Sequence, residues 1–141
     1  MTPTAMAHLW FEEVWNKGDR EAIDRLLAEP CEVTGLTQDP ICDRDAMKAF
    51  CEQMNGALQD INIAVNTAVE SENTVAVMFT VTATHRVTGK SFTQKNTCFA
   101  VVENDQIVRA DNVVDFLSLF VQTGVLPADT VLQGLSADRI S

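Results

Sequence analysis

The chain contains no tyrosine, and only two histidines and two tryptophans, among 141 residues. No phenol is therefore available as a hydrogen-bond donor, and imidazole chemistry is confined to His8 and His85. The histidines stand in no metal-ligand spacing with the four cysteines, Cys31, Cys42, Cys51 and Cys98. There is no C-x-x-C pair and no glycine-rich phosphate loop, so the expectation is no metal and no cofactor. Cationic residues are scarce: ten Lys and Arg face twenty Asp and Glu, a net charge of −10. Such a balance excludes binding nucleic acid by phosphate neutralisation and disfavours an anionic membrane surface. No apolar run reaches membrane-spanning length. The opening Met1-Thr2-Pro3-Thr4 carries neither the basic nor the apolar region of a signal peptide. A cytoplasmic protein with reduced thiols is expected.

What is present is an ordinary globular composition, 46% hydrophobic and 21% charged, sized for a single domain over residues 1–141. The first half has helical periodicity. Thr2 caps a helix starting at Pro3, with Met6, Leu9, Trp10 and Val14 recurring on one side and Gly18 ending it. Asp19 caps a second helix, bearing Ala22, Ile23, Leu26 and Leu27, that stops before Pro30. Residues 31–37 read as a short strand. Asp43 caps a third helix with Met47, Phe50, Cys51 and Met54 on one face, closed by Asn55-Gly56.

The second half switches to period two. Ile61, Ile63, Val65, Thr67 and Val69 alternate, and Val77, Phe79, Val81 and Ala83 share a face of a strand over 75–85. Further strands are predicted at 91–103 and 106–116, joined by a tight turn at Asn104-Asp105. A short apolar segment, Leu117 to Val121, follows behind Asp115 as its cap, and the tail from about 134 is expected to fray. Helices followed by an antiparallel meander make an α+β fold. In the last strand, Ile107 belongs to one parity while Ala110, Asn112, Val114 and Phe116 belong to the other. One extra residue near Val108–Ala110, a β-bulge, reconciles them by placing Asn112, rather than Asp111, beside Cys98.

Three segments resemble the nuclear transport factor 2-like superfamily and, within it, the SnoaL-like polyketide cyclase group. They are Trp15-Asn16-Lys17-Gly18-Asp19 with Ala22-Ile23 and Leu26; Ala83-Thr84-His85 with Thr88-Gly89-Lys90; and Ile107 through Asp115 with Gln122-Thr123-Gly124-Val125-Leu126-Pro127. The resemblance implies a cone, with a curved antiparallel sheet wrapped around N-terminal helices over an apolar pocket. It also implies a homodimer through the outer sheet face. The superfamily hosts cyclases, isomerases, hydrolases and non-enzymes, so function must be read position by position. The cyclase template's acid/base aspartate falls on Asn112, and its supporting histidine falls on Cys98. An amide cannot move a proton near neutrality. The limonene epoxide hydrolase template also meets Asn112, with no charge on the core face of 75–85. The ketosteroid isomerase template meets Phe11 at its tyrosine and Thr34 near its base.

The expected pocket is walled by Phe11, Trp15, Phe79, Val81 and Val114, with Asn96, Cys98 and Asn112 as its polar groups. Asn96 and Asn112 can simply pair with each other or with water, and Cys98 can be a small buried hydrophobe rather than a nucleophile. His85 reads as a general base or as a turn or dimer-contact residue. Asp111, on the opposite strand face, pairs with Lys95 or Arg109 unless the strand is regular, in which case it becomes a general base. The favoured function is binding, or converting, a small hydrophobic molecule, with Asn112 in place of the template aspartate. The alternatives are a cofactor-free cyclase, isomerase or hydrolase using Asp111 or His85, and a non-catalytic dimerisation module.

Overall fold

The computed structural model describes residues 1–136. Thr2 Oγ1 accepts the Ala5 N–H at 3.0 Å and opens α1, Pro3–Trp10. The helix does not run unchanged to Gly18 as its periodicity suggests. Over Phe11–Asn16 it widens into a π-helical segment, and the Lys17 N–H donates to the Glu12 carbonyl five residues back. Phe11 and Val14 are buried there.

The short helix α2, Glu21–Leu26, ends earlier than predicted, because the chain turns straight into β1, Leu27–Thr34. Pro30 does not separate helix from strand; it lies inside β1, a sheet edge where its missing N–H interrupts little pairing. Residues 35–37 accordingly fall outside the strand. Asp43 accepts the Ala46 N–H at 2.7 Å and caps α3, Arg44–Ala57, which buries Met47, Phe50 and Cys51. Asn55-Gly56 does not close α3; the helix runs through both to Ala57.

Four long strands follow: β2 Leu58–Ser71, β3 Thr74–His85, β4 Ser91–Glu103 and β5 Gln106–Val113. The curved sheet has the order β1-β5-β4-β3-β2. It is not wholly antiparallel: β1 pairs with β5 in parallel, Thr34 opposite Asp111. The alternation along β2 breaks where the register shifts between Val65 and Thr67. Beyond that bulge Ala68 packs against the core, while Val69 is exposed.

Asn104 and Asp105 both take positive φ, as a two-residue hairpin turn of this hand requires. Val102 then pairs with Ile107, but Val101 pairs with Arg109, leaving Val108 as the bulged residue. The expected bulge is therefore present. The last strand stops at Val113 rather than 116, because Asp115 caps α4, Phe116–Gln122, by accepting the Ser118 N–H at 2.8 Å. A further helix, α5, Thr130–Leu135, has no counterpart in the sequence reading. It carries Gly134 within it, where fraying was expected; the rest of that expected tail lies outside the described residues. Helix faces and the inner sheet face enclose the main apolar core, with Met6, Val14, Ile23 and Val75 fully buried, and a smaller cluster of Leu58, Ala83, Phe92 and Leu119 lies beside it.

Candidate functional site

A cavity of about 110 Å³ lies between the helices and the inner face of the sheet. Phe11 and Trp15 reach it from the π-helical segment, and Phe79 and Val81 from β3. Asn96 and Cys98 reach it from β4, Asn112 from β5, and Val114 from just beyond that strand. The structure thus brings together every residue that the sequence assigned to the pocket wall. Phe11 and Phe79 pack ring to ring with centroids 4.6 Å apart. Among the described residues, no charged side chain lines the cavity.

The cross-strand register explains this grouping. Val77, Cys98 and Asn112 are paired in one row across β3, β4 and β5. One residue along, Ala76, Phe99 and Asp111 form the neighbouring row, and its side chains point to the other face. Asp111 is accordingly outside the cavity. It accepts from the Thr34 hydroxyl at 2.7 Å and from Arg109 Nε at 3.0 Å. The Thr34 hydroxyl first, and then Arg109, hold its carboxyl below the usual carboxylate range. A paired, acidified carboxylate on the outer face is no general base for this cavity.

Asn112 is fixed from β1. Its Nδ2 donates to the Thr34 carbonyl at 3.1 Å, and its backbone carbonyl lies against Gly35. Gly35 has φ +86°, and a side-chain carbon there would collide with that carbonyl. Asn112 does not bond Asn96, contrary to the pairing entertained from sequence. The Asn96 Oδ1 instead accepts the Asp115 N–H at 3.2 Å and Gln94 Nε2 at 3.1 Å.

Gln94 is the residue the sequence reading overlooked. It lines the cavity, is only 8% exposed, and its Oε1 is buried without a hydrogen-bond partner among the described residues. The signal was available, because Gln94 shares the period-two parity of Asn96 and Cys98 on β4. An unsatisfied buried carbonyl costs about 1–3 kcal/mol, so it stands out among the few polar groups of a mainly apolar wall.

Burial pushes the Cys98 thiol up to about 12, with a further push from the Asp111 charge. Cys51 rises to about 11 for the same first reason. Both are thiols at neutral pH and poor nucleophiles. All four cysteines are free.

His85 does not reach the cavity. It lines an adjoining hollow of about 360 Å³ that shares Phe50, Met54, Phe116 and Leu119 with the cavity wall. Its Nδ1 accepts from the N–H groups of Val87 and Thr88 at 3.2 and 3.4 Å, which makes it a turn residue. Helix α4 overlies this end of the sheet. Gln122 pins it there by exchanging hydrogen bonds with both the N–H and the carbonyl of Thr93. Among the described residues, no three His, Cys, Asp or Glu side chains converge as a metal site. No helix among them is long and apolar enough to cross a membrane.

Residues 5–123 match the family model described as SnoaL-like polyketide cyclase. No curated protein matches the sequence significantly. Among solved structures, IdmH of Streptomyces antibioticus, a proposed polyketide cyclase, superposes with a TM-score of 0.77 at 19% identity, covering 88% of this chain and 99% of its own. A proposed SnoaL-like polyketide cyclase from Jannaschia sp. CCS1 gives 0.79 at 12%, over 89% and 93%. AclR of Streptomyces galilaeus, a proposed hydroxylase, gives 0.75 at 23%, over 96% and 89%. At these identities the likeness establishes the fold alone.

Proposed function

Since the chain belongs to the SnoaL-like polyketide cyclase family, we propose that it binds a small hydrophobic molecule in this cavity without the acid–base step of the cyclase template. The observation that carries this reading is the chemistry of the wall. Among the described residues its polar side chains are the three carboxamides of Gln94, Asn96 and Asn112, the Cys98 thiol and the two indoles, and none of them exchanges a proton near neutrality. Asn112 occupies the position that the resemblance gives to the template aspartate. The alternative with Asp111 or His85 as base loses support, since neither lines the cavity.

The same reading includes a homodimer formed through the outer sheet face. Met78, Thr97 and Val113 make a row there, flanked by Phe99, with Phe99 58% and Val113 72% exposed. An apolar patch on a sheet whose other face is already covered is an association surface. Four free cysteines fit a reducing, cytoplasmic setting.

Calorimetric titration with naphthalene tests the binding role. The cavity and its adjoining hollow together offer room for two fused rings. Saturable binding at one site per chain is expected, weakened at least tenfold by filling the wall with Ala110→Leu. Both tryptophans of the chain line the cavity, so their emission should change with occupancy. No saturable binding, or binding indifferent to Ala110→Leu, would remove the support.

A further inference from the structure

From the hydrogen bonds that the β4 amides leave unmade, we infer that Gln94 is the specificity-determining acceptor of the cavity and selects an uncharged ligand bearing a hydroxyl group. The inference rests on the proposed binding role and adds the polar chemistry of the ligand.

The orientation of both amides is fixed by a backbone group. The Asp115 N–H can only donate, so the atom of Asn96 that faces it at 3.2 Å is the oxygen. The group of Gln94 that meets the same oxygen at 3.1 Å must then be its NH₂. Turning Gln94 over would set two carbonyl oxygens against each other. Turning Asn96 over would set an NH₂ against the Asp115 N–H. Asp115 is itself held as the cap of α4, so the reference point does not move freely.

With the network so fixed, Gln94 Oε1 and Asn96 Nδ2 are left without a partner among the described residues. The Gln94 Oε1 is a buried acceptor with no donor. The Asn96 Nδ2 makes no hydrogen bond of its own, while Asn96 is only 5% exposed. One acceptor and one donor sit on neighbouring inward positions of a single strand. A hydroxyl group complements both, since its hydrogen can go to Gln94 Oε1 and its oxygen can accept from Asn96 Nδ2. An ether or carbonyl offers nothing to Oε1. A carboxylate brings a second acceptor and a charge into a wall that, among the described residues, has no cation to meet it.

The experiment compares 2-naphthol, 2-methoxynaphthalene and naphthalene by calorimetric titration at neutral pH, where all three are uncharged. The wild-type protein should hold 2-naphthol at least tenfold more tightly than the other two. In Gln94→Met the preference for 2-naphthol over 2-methoxynaphthalene should fall to about one, since both oxygens can still accept from Asn96 Nδ2. Equal affinities in the wild type, or a preference that survives in Gln94→Met, would overturn the inference while leaving the cavity a binding site. Failure of all three compounds to bind the wild type would instead overturn the binding role, and this inference with it. Should Gln94→Met fail to fold, the comparison of 2-naphthol with its methyl ether in the wild type decides alone: a donor-dependent gap supports the inference and its absence refutes it.

Discussion

The row Val77–Cys98–Asn112 and the row Ala76–Phe99–Asp111 lie one residue apart on the same three strands, yet they have different chemistry. The inner row is uncharged and faces a cavity. The outer row carries an exposed aromatic ring and a carboxylate engaged by Thr34 and Arg109. Asp111 and Asn112 are chain neighbours, and a single bulged residue, Val108, decides which of them faces inward. Without that extra residue, Asp111 would lie opposite Cys98 and the cavity would hold a carboxylate. Whether the wall can move a proton thus depends on strand register as much as on composition.

The change expected to break this division most severely is Gly35→Ala. The positive φ at Gly35 disfavours any side chain, and the new carbon meets the Asn112 carbonyl. Since strain and collision act together, a loss of about 3 kcal/mol or more is expected, read as a lower midpoint in urea denaturation. A loss below about 1 kcal/mol would show that β1 does not fix Asn112 rigidly. On the outer face, Phe99→Glu should disperse the proposed dimer, since it sets a new charge beside Asp111 in the middle of the apolar patch. Light scattering at micromolar concentration should find the variant monomeric and the wild type dimeric. A wild-type monomer would remove the assembly from the proposal.

Much of this was legible in the sequence, and the failures have physical causes. Helix caps at Thr2, Asp43 and Asp115 were readable because a short polar side chain before an apolar periodic run has few other uses. The Val108 bulge was readable because two apolar sets of opposite parity had to share one inner face. The bulge in β2 was hidden, since Thr67 and Val69 continue the alternation and only the register shift between Val65 and Thr67 turns them outward. The parallel pairing of β1 with β5 was hidden too. It joins segments nearly eighty residues apart, and no local pattern announces it. Gln94 was overlooked because a glutamine in a strand reads as solvent-facing. Its parity with Asn96 was the better guide.

A pair of charge exchanges sharpens the comparison through pH. Asp111 has its pKa lowered in the folded protein, so its contribution to stability is present above the unfolded value and is lost as pH falls through the folded one. Asp111→Asn should therefore flatten the acid limb of the stability profile. The effect should be small, since the side chain is 39% exposed. Asn112→Asp should do the reverse. Its carboxylate would enter an uncharged wall and face the Thr34 carbonyl, to which only the protonated form can donate. Its folded pKa is then raised, and stability should fall as pH climbs above the unfolded value near 4. A shift of about two units would cost about 2.7 kcal/mol at pH 7. Parallel pH profiles for the two variants would mean that the faces are not distinct.

The smallest effect concerns the inner face alone. In the ligand-free protein, Gln94→Met removes one hydrogen bond, from Nε2 to the Asn96 Oδ1, and one buried carbonyl without a partner. The Asn96 oxygen keeps its bond from the Asp115 N–H, so the loss leaves no new orphan. A hydrogen bond contributes about 1 kcal/mol net, whereas an unsatisfied buried acceptor costs about 1–3 kcal/mol. Methionine has similar length, and its flexible thioether suits an apolar wall. The balance favours the variant, by about 1 kcal/mol or a few degrees in thermal midpoint. A truncating change at a half-exposed site would carry no such sign, so the direction is informative even though the magnitude is modest. If the variant instead melts several degrees lower, the Gln94 carbonyl has a partner in solution, and the inner face is better satisfied than its hydrogen bonds indicate.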